Sequence, residues 1–351
     1  MSTTFFKVAT RSGVTVVIPT YNRCAFLVQA VQSALAQSYR DICCLVIDNG
    51  STDGTAEALA ELQDTRLRLL KSDRPLGGPV ARNLGIAEAE GAEWVAFLDS
   101  DDLWAPTKLE RQLAALATSP GTGWSAVACV NIDKNIRVRQ AGRLVQGPPE
   151  LPEARLFNRD ELRALLLEEN MVPAGNSTVL ASRKLLQSAG GYDTSLSTCD
   201  DWDLWLRLAS MSPLAYVDRP LAGYRIWDGQ QSFSNESAFI RDAATVRSRN
   251  FPDAGPVPRE YAARWERESA RRNVSSGRRL AAARNYMRAA RLGLDPGQLA
   301  YAVAAATAPQ LTERRLRRLD STHLLPEGWV DQVEPWLAPY RQTSRPGPCA
   351  G

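Results

Sequence analysis

The sequence predicts an α/β fold: a Rossmann-like, mostly parallel central sheet with helices on both faces, followed by a C-terminal helical region. Three observations carry this expectation. Short apolar runs without polar alternation recur through the first hundred residues, as in strands buried on both faces. Each run is followed by a stretch with apolar residues at helical spacing. Polar residues gather where the runs end, and parallel sheets bind ligands beyond the carboxyl ends of their strands.

The first run, residues 14–18, is β-branched throughout and passes directly into Pro19-Thr20-Tyr21-Asn22. Phe26, Leu27, Ala30, Val31, Ala34 and Leu35 then recur with the period of a helix. A second strand over 42–47 ends in the turn-rich cluster 48–54, which contains Asp48-Asn49-Gly50. A helix, a third strand at 67–70, a glycine-containing loop, a helix near 80–89 and a strand at 94–98 follow. Beyond them, 124–131 and 177–181 read as strands, and 159–168 and 201–209 as helices. A Pro/Gly-rich stretch at 251–256 reads as a linker, and 259–273 and 276–292 as long helices in a pattern that stays helical to about 319. The expected organisation is an α/β domain over 1–240, with halves at about 13–105 and 106–240. A helical region over 241–341 and a Pro/Gly/Ser-rich tail over 342–351 complete it.

Composition removes several function classes. A chain of 351 residues, 44% hydrophobic and 23% charged, is globular and long enough for two units. Its longest weakly polar run, 299–308, falls short of the ~18–20 apolar residues that span a bilayer. The first twelve residues carry no signal pattern. The six cysteines show no CxxC spacing and there is one histidine, His323, which argues against a zinc site or a Ser/Cys–His pair. A soluble, cytoplasmic protein is expected. From residue 241 onward, 19 arginines, no lysine and 11 acids give +8, so the first 240 residues sum to −5.

Asp99-Ser100-Asp101-Asp102 follows the strand at 94–98 directly. Three carboxylates so close repel one another unless a cation or proton neutralises them, and such oxygen ligands suit Mg²⁺ or Mn²⁺ with a substrate phosphate. A solvated turn capping the next helix is the alternative. Arg82, in Gly77-Gly78-Pro79-Val80-Ala81-Arg82-Asn83, follows two glycines that permit close backbone approach. It reads either as an exposed helix arginine or as the neutraliser of a diphosphate. Asp200-Asp201 precedes Trp202, Trp205, Leu206 and Ala209, one apolar helix face. An Asp is a favoured N-cap, but capping uses one of two adjacent acids and leaves the other for proton transfer.

Taken together these segments resemble the inverting, nucleotide-sugar-dependent glycosyltransferases of family two, which have the GT-A fold. The matching text is Val16-Val17-Ile18-Pro19-Thr20-Tyr21-Asn22-Arg23, Val46-Ile47-Asp48-Asn49-Gly50-Ser51, Ala81-Arg82-Asn83-Leu84-Gly85 and Phe97-Leu98-Asp99-Ser100-Asp101-Asp102. It continues with Gly190-Gly191-Tyr192-Asp193, Asp200-Asp201-Trp202-Asp203 and Tyr224-Arg225, over about 13–235. The resemblance implies that 13–105 binds the nucleotide sugar and 106–240 the acceptor. It places Thr20, Tyr21, Asp48 and Asn49 at the base and ribose, Arg82 at the nucleotide or its phosphates and Asp99 at the ribose, with Pro19, Asn22 and Ser100 also in the nucleotide-sugar site. It implies a metal, Mn²⁺ or Mg²⁺, on Asp101, and Asp201 as general base with Asp200 beside it. Gly190, Gly191 and Trp202 would shape the acceptor side.

Two positions depart from the family pattern. Asn49 stands where many relatives have a second acid; it still accepts a pyrimidine N3–H, which keeps UDP- or dTDP-sugar donors in view. Trp227 stands near where relatives place a histidine, and Arg225 would take over part of the diphosphate contact. The competing readings are a sugar-phosphate nucleotidyltransferase, disfavoured because Pro19-Thr20-Tyr21-Asn22 is unlike its Gly-rich loop, and a non-catalytic sugar-nucleotide-binding protein. For the arginine-rich C-terminal helices, including Arg271-Arg272, Arg278-Arg279 and residues 314–318, three uses compete. They are solvated faces, a phosphorylated acceptor, or peripheral contact with an anionic membrane. Nucleic acid is not expected, because no stacking-aromatic pattern accompanies them.

Overall fold

The computed structural model describes residues 12–144, 154–167, 170–227, 236–251, 259–275, 277–293, 296–312, 325–326 and 328–342. Most of the expected linker, the arginine pairs at 314–318, His323 and the tail from 343 lie outside the described residues. The chain forms two compact units: one spans 1–166, 170–225 and 325–351, the other 167–169 and 226–324.

The first unit begins with β1 (Val14–Thr20), α1 (Cys24–Leu35), β2 (Ile42–Asp48), α2 (Thr55–Ala60), β3 (Leu67–Lys71), α3 (Gly78–Glu88) and β4 (Trp94–Phe97). These are the alternating elements expected from the apolar runs, and β1 and β2 are buried along their whole length. β1 pairs in parallel with both β2 and β4, and β2 with β3. The register sets Thr20 opposite Asp48, so β1 and β2 end side by side. Gly85 lets α3 lie directly on β1: a Cβ there would stand 2.2 Å from a Val17 methyl.

The sheet then turns antiparallel. β5 (Leu103–Trp104), α4 (Lys108–Ala117), β6 (Trp124–Asp133), β7 (Val138–Gly142), β8 (Ala154–Phe157), α5 (Arg159–Leu166), β9 (Leu180–Ser182), α6 (Arg183–Ser188), α7 (Asp200–Met211) and β10 (Leu214–Ile226) follow. Among the described residues the strand order is β3-β2-β1-β4-β9-β6-β10-β5, with β7 on β6 and β8 on β10. β9 is antiparallel to both β4 and β6. The strand expected at 177–181 starts late, because Gly175–Thr178 form one turn of 3-10 helix. Two hydroxyls explain the turn: Thr178 Oγ1 donates to the Pro173 carbonyl at 2.7 Å, and Ser177 Oγ to Asp102 at 2.5 Å. Side-chain bonds of this kind compete with a sheet ladder. Trp124 stacks on Trp205 at 5.8 Å between ring centroids, joining β6 to α7 in the core.

The second unit is helical: α8 (Glu236–Asn250), α9 (Arg259–Ser275), α10 (Arg279–Gly293) and α11 (Gly297–Thr307). Ala270, Val274, Ala282, Tyr286, Ala302 and Ala305 form its core, and Tyr301 stacks on Tyr286. A buried polar chain runs through it, Asn273 donating to Asn285 and Asn285 to Glu266. The last helix, α12 (Trp329–Gln342), falls within the region read as helical but packs with the sheet unit. Its Tyr340 carbonyl accepts from Gln29 Nε2 at 3.3 Å, and Arg341 Nε donates to the Ile136 carbonyl at 3.0 Å. Among the described residues no helix is long and apolar enough to cross a membrane.

Gly85→Ala is expected to lower the unfolding free energy by about 1–3 kcal/mol, the usual cost of overpacking a tight core. A denaturant midpoint equal to that of the wild type would show that Val17 steps aside freely.

Candidate active site

Three strand ends and the start of one helix build the site. At the first, Asn22 adopts φ 49°, a left-handed turn that Asn tolerates. Its N–H donates to Ser51 Oγ and its Oδ1 accepts from the Thr52 N–H, each at 2.9 Å. The Ser51 N–H in turn donates to Asp48 Oδ1 at 2.9 Å, and the Asn49 N–H to the Thr20 carbonyl. The two turns thus lock each other. Three oxygens there are buried yet lack a hydrogen-bond partner among the described residues: Thr20 Oγ1, Asp48 Oδ2 and Asn49 Oδ1. Buried polar atoms are rarely left unpaired, so this cluster fits a ligand offering N–H and O–H groups. Tyr21 projects from the same place with half of its surface exposed.

The acidic turn after β4 is held from several sides. The Asp99 N–H donates to Ser177 Oγ at 3.0 Å. Asp102 is fully buried, its oxygens accepting from Ser177 Oγ and from the Arg225 N–H. Burial, with Asp101 and Asp99 adjacent, pushes its pKa well above the usual carboxylate range. The other two acids face arginines: Asp101 Oδ2 lies 3.1 Å from Arg23 Nη1, and Asp99 Oδ1 lies 2.7 Å from Arg82 Nη2. Arg225 supports the turn from beneath. Its Nε donates to the Asp101 carbonyl at 2.6 Å and its Nη2 to Gln29 at 2.8 Å, while its guanidinium lies over the Phe26 ring.

Arg82 links this turn to α7. Its Nη1 reaches Asp200 Oδ2 at 3.3 Å while Nη2 holds Asp99, and a Cβ on Gly78 would come within 2.9 Å of it. Burial opposes its charge, but Asp99 and Asp200 outweigh burial and raise its pKa. Its buried Nε has no acceptor among the described residues. Asp201 accepts from the Trp202 N–H at 2.7 Å and from Asn170 Nδ2 at 2.9 Å. Gly175 leaves room for the carboxylate, since a Cβ there would meet Asp201 Oδ2 at 2.4 Å. Burial first, and Asp200 second, push the Asp201 pKa up to about 7. Asp200 is raised as well, by burial, against the pull of Arg82.

The structure therefore brings Thr20, Asp48 and Asn49 together at adjacent strand ends, and Arg82, Asp99 and Asp200 into one ion-paired group with Asp201 beside it. Pro19 and Ser100 are buried at the strand ends. Gly190 is exposed, and Gly191 sits against Asn83, where a Cβ would lie 2.5 Å from Oδ1. Asn83 and Tyr192 exchange two hydrogen bonds, of 2.8 and 2.7 Å, which fasten α3 to the segment before α7. Trp202 is buried, its Nε1 donating to the Leu166 carbonyl. Arg23, Asn170, Ser177 and Gln29 were not singled out in the sequence; each works through a partner distant along the chain.

Among the described residues no three or more Asp, Glu, His or Cys side chains are grouped to hold a metal ion by themselves. Asp101 nonetheless fits a hard divalent cation that takes its remaining ligands from a diphosphate and water, as Mg²⁺ commonly does.

A family model described as Glycosyl transferase family 2 matches residues 15–185. The putative teichuronic acid biosynthesis glycosyltransferase TuaG of Bacillus subtilis (strain 168) is 30% identical over 220 residues, 61% of this chain and 79% of that protein. In four other curated relatives the match spans 34% to 40% of their length. Among solved structures, S. aureus TarS 1–349 in complex with UDP-GlcNAc matches with a TM-score of 0.55 at 16% identity, over 87% of this chain and 91% of that one. GalNAc-T7 with UDP, GalNAc and Mn²⁺ matches with a TM-score of 0.51 at 16% identity, over 74% of this chain and 51% of that one. The fold is that of the GT-A glycosyltransferases. The chain belongs to glycosyl transferase family 2.

The raised pKa of Asp201 has a stability consequence. Between the ordinary carboxylate value and about 7, the folded chain holds a proton there that the unfolded chain has released. Its contribution is therefore greatest at low pH and is lost as pH rises through 7. Asp201→Asn removes that loss, so its melting temperature relative to wild type should climb between pH 4.5 and pH 8; a constant difference would contradict the raised value.

Proposed function

We propose that the chain transfers a sugar from a nucleoside-diphosphate donor to an acceptor hydroxyl, inverting the anomeric centre, with Asp201 as the general base. The observation that carries this reading is the Arg82 bridge. One guanidinium pairs with Asp99 at the end of β4 and with Asp200 at the start of α7. The donor-binding and proton-accepting motifs thereby converge, and the neighbouring Asp201 titrates near 7. The nucleotides and sugars in the TarS and GalNAc-T7 structures support the same class of donor.

The donor's base and ribose bind at Thr20, Tyr21 and Asn22 and at Asp48 and Asn49, whose unpartnered oxygens accept N–H and O–H groups. A UDP- or dTDP-sugar offers a pyrimidine N3–H to that set. Asp99, with Ser100 behind it, meets the ribose. Asp101 would hold Mn²⁺ or Mg²⁺, which would supply positive charge to the diphosphate. Arg82 contributes a second, fixed positive charge there, and its buried Nε–H is available to the donor.

Asp201 takes the proton of the acceptor hydroxyl as that oxygen bonds to C1. The bond from C1 to the diphosphate breaks on the opposite face, and its electron pair leaves with the nucleoside diphosphate. A single displacement inverts the carbon and requires no nucleophilic serine or cysteine. Asn170 and the Trp202 N–H hold the carboxylate in one orientation. A pKa near working pH suits a base that must accept and then release a proton.

Asp201→Asn and Asp101→Ala are each expected to lose at least ~10²-fold in kcat, measured as nucleoside diphosphate released from a panel of nucleotide sugars with Mn²⁺. In the wild type, kcat should fall as pH drops below about 7, where Asp201 is protonated. Pyrophosphate release from a nucleoside triphosphate and a sugar phosphate would instead mark a nucleotidyltransferase. Normal turnover in Asp201→Asn with a collapse in Asp200→Asn would move the base by one residue.

A further inference from the structure

The three carboxylates of the acidic turn are not held alike. Asp102 is fully buried, with its oxygens engaged by Ser177 Oγ and the Arg225 N–H. Asp99 pairs with Arg82, whose side chain is 11% exposed and anchored on its far side by Asp200. Asp101 pairs with Arg23, the residue immediately before α1, whose side chain is 20% exposed. The main chain of Asp101 is fixed in turn, since Arg225 Nε grips its carbonyl at 2.6 Å.

A divalent cation and the Arg23 guanidinium therefore need the same carboxylate. Asp99 is engaged by Arg82 and Asp102 by Ser177 and the Arg225 N–H, so both cations converge on the Asp101 carboxylate, and two cations crowded on a nearly buried acid repel. A diphosphate removes the conflict by bringing its own negative charge. We infer that Arg23 is an internal counter-ion of the metal site: it holds Asp101 against a lone divalent cation and yields it to a cation arriving with a nucleoside diphosphate. Cation and nucleotide then reinforce each other's binding, and by linkage the reinforcement is equal in both directions. The inference rests on the reading of Asp101 as the metal carboxylate and assigns Arg23 a positioning role there.

The test is Mn²⁺ binding to the full chain, followed by the electron paramagnetic resonance signal of free Mn²⁺, with and without UDP. In the wild type, UDP should tighten Mn²⁺ binding at least about tenfold. Arg23→Ala should bind Mn²⁺ alone about tenfold more tightly than wild type, with the gain from UDP reduced to match. Arg23→Lys, which keeps the charge, should stay close to wild type. Arg23→Gln repeats the charge removal with a longer polar side chain should the alanine variant fold poorly. Equal Mn²⁺ affinity in wild type and the neutral variants overturns the inference, as does a wild type that binds Mn²⁺ no better with UDP. Asp101→Asn separates the two levels. If it binds Mn²⁺ as the wild type does, the assignment of the metal carboxylate itself fails. If it loses Mn²⁺ while the Arg23 variants match wild type, the counter-ion role alone fails.

Discussion

Asp99, Asp101 and Asp102 stand within four residues at the end of a buried strand, and the surrounding structure is arranged around the repulsion among them. Two of the acids are countered by arginines from different elements, Arg82 of α3 and Arg23 ahead of α1. The third is kept from ionising easily by burial and receives hydrogen bonds from Ser177 and the Arg225 main chain. Each partner comes from a separate stretch of sequence, so the turn acts as the hub on which the parallel and antiparallel halves of the sheet unit meet. The proposed diphosphate site would gain from such a hub, because fixed charges need not reorganise when new charge develops nearby.

The second half of the site depends on a fastening that is neither charged nor catalytic. Asn83 exchanges two hydrogen bonds with Tyr192, and the absence of a side chain on Gly191 allows that approach. The Tyr192 ring then packs edge-on against Phe97, with the Arg82 guanidinium 5.6 Å from its centroid. The glycine pair that resembled part of an acceptor pocket thus also sets the distance between α3 and α7, and with it the reach of Arg82 to Asp200.

Much of the parallel half was legible because its signals are local. Residues 14–18 and 42–47 are apolar without interruption, and the polar residues that end them fall together since parallel strands in register end together. The antiparallel half was less legible. Ser177 lies where a strand was expected, and its hydroxyl reaches a carboxylate 75 residues away, which no periodicity encodes. Arg225 reads as a partial diphosphate contact only because no histidine follows the Tyr224-Arg225 pair. Its bonds to Gln29, 196 residues earlier, and to the Asp101 carbonyl are invisible at that level. The elevated pKa of Asp201 likewise arises from burial and a neighbour's charge, whereas the sequence could show only two adjacent acids.

The return of α12 to the sheet unit bears on how the chain matures. Trp336 and Leu337 of that helix crowd Gly223 on β10, two residues before the arginine that props the acidic turn. A ribosome delivers this helix only after the whole helical insert has emerged, so the sheet unit cannot complete its packing while residues up to about 320 are being made. The insert must therefore be tolerated, folded or not, by a sheet unit that stays half-finished until α12 arrives.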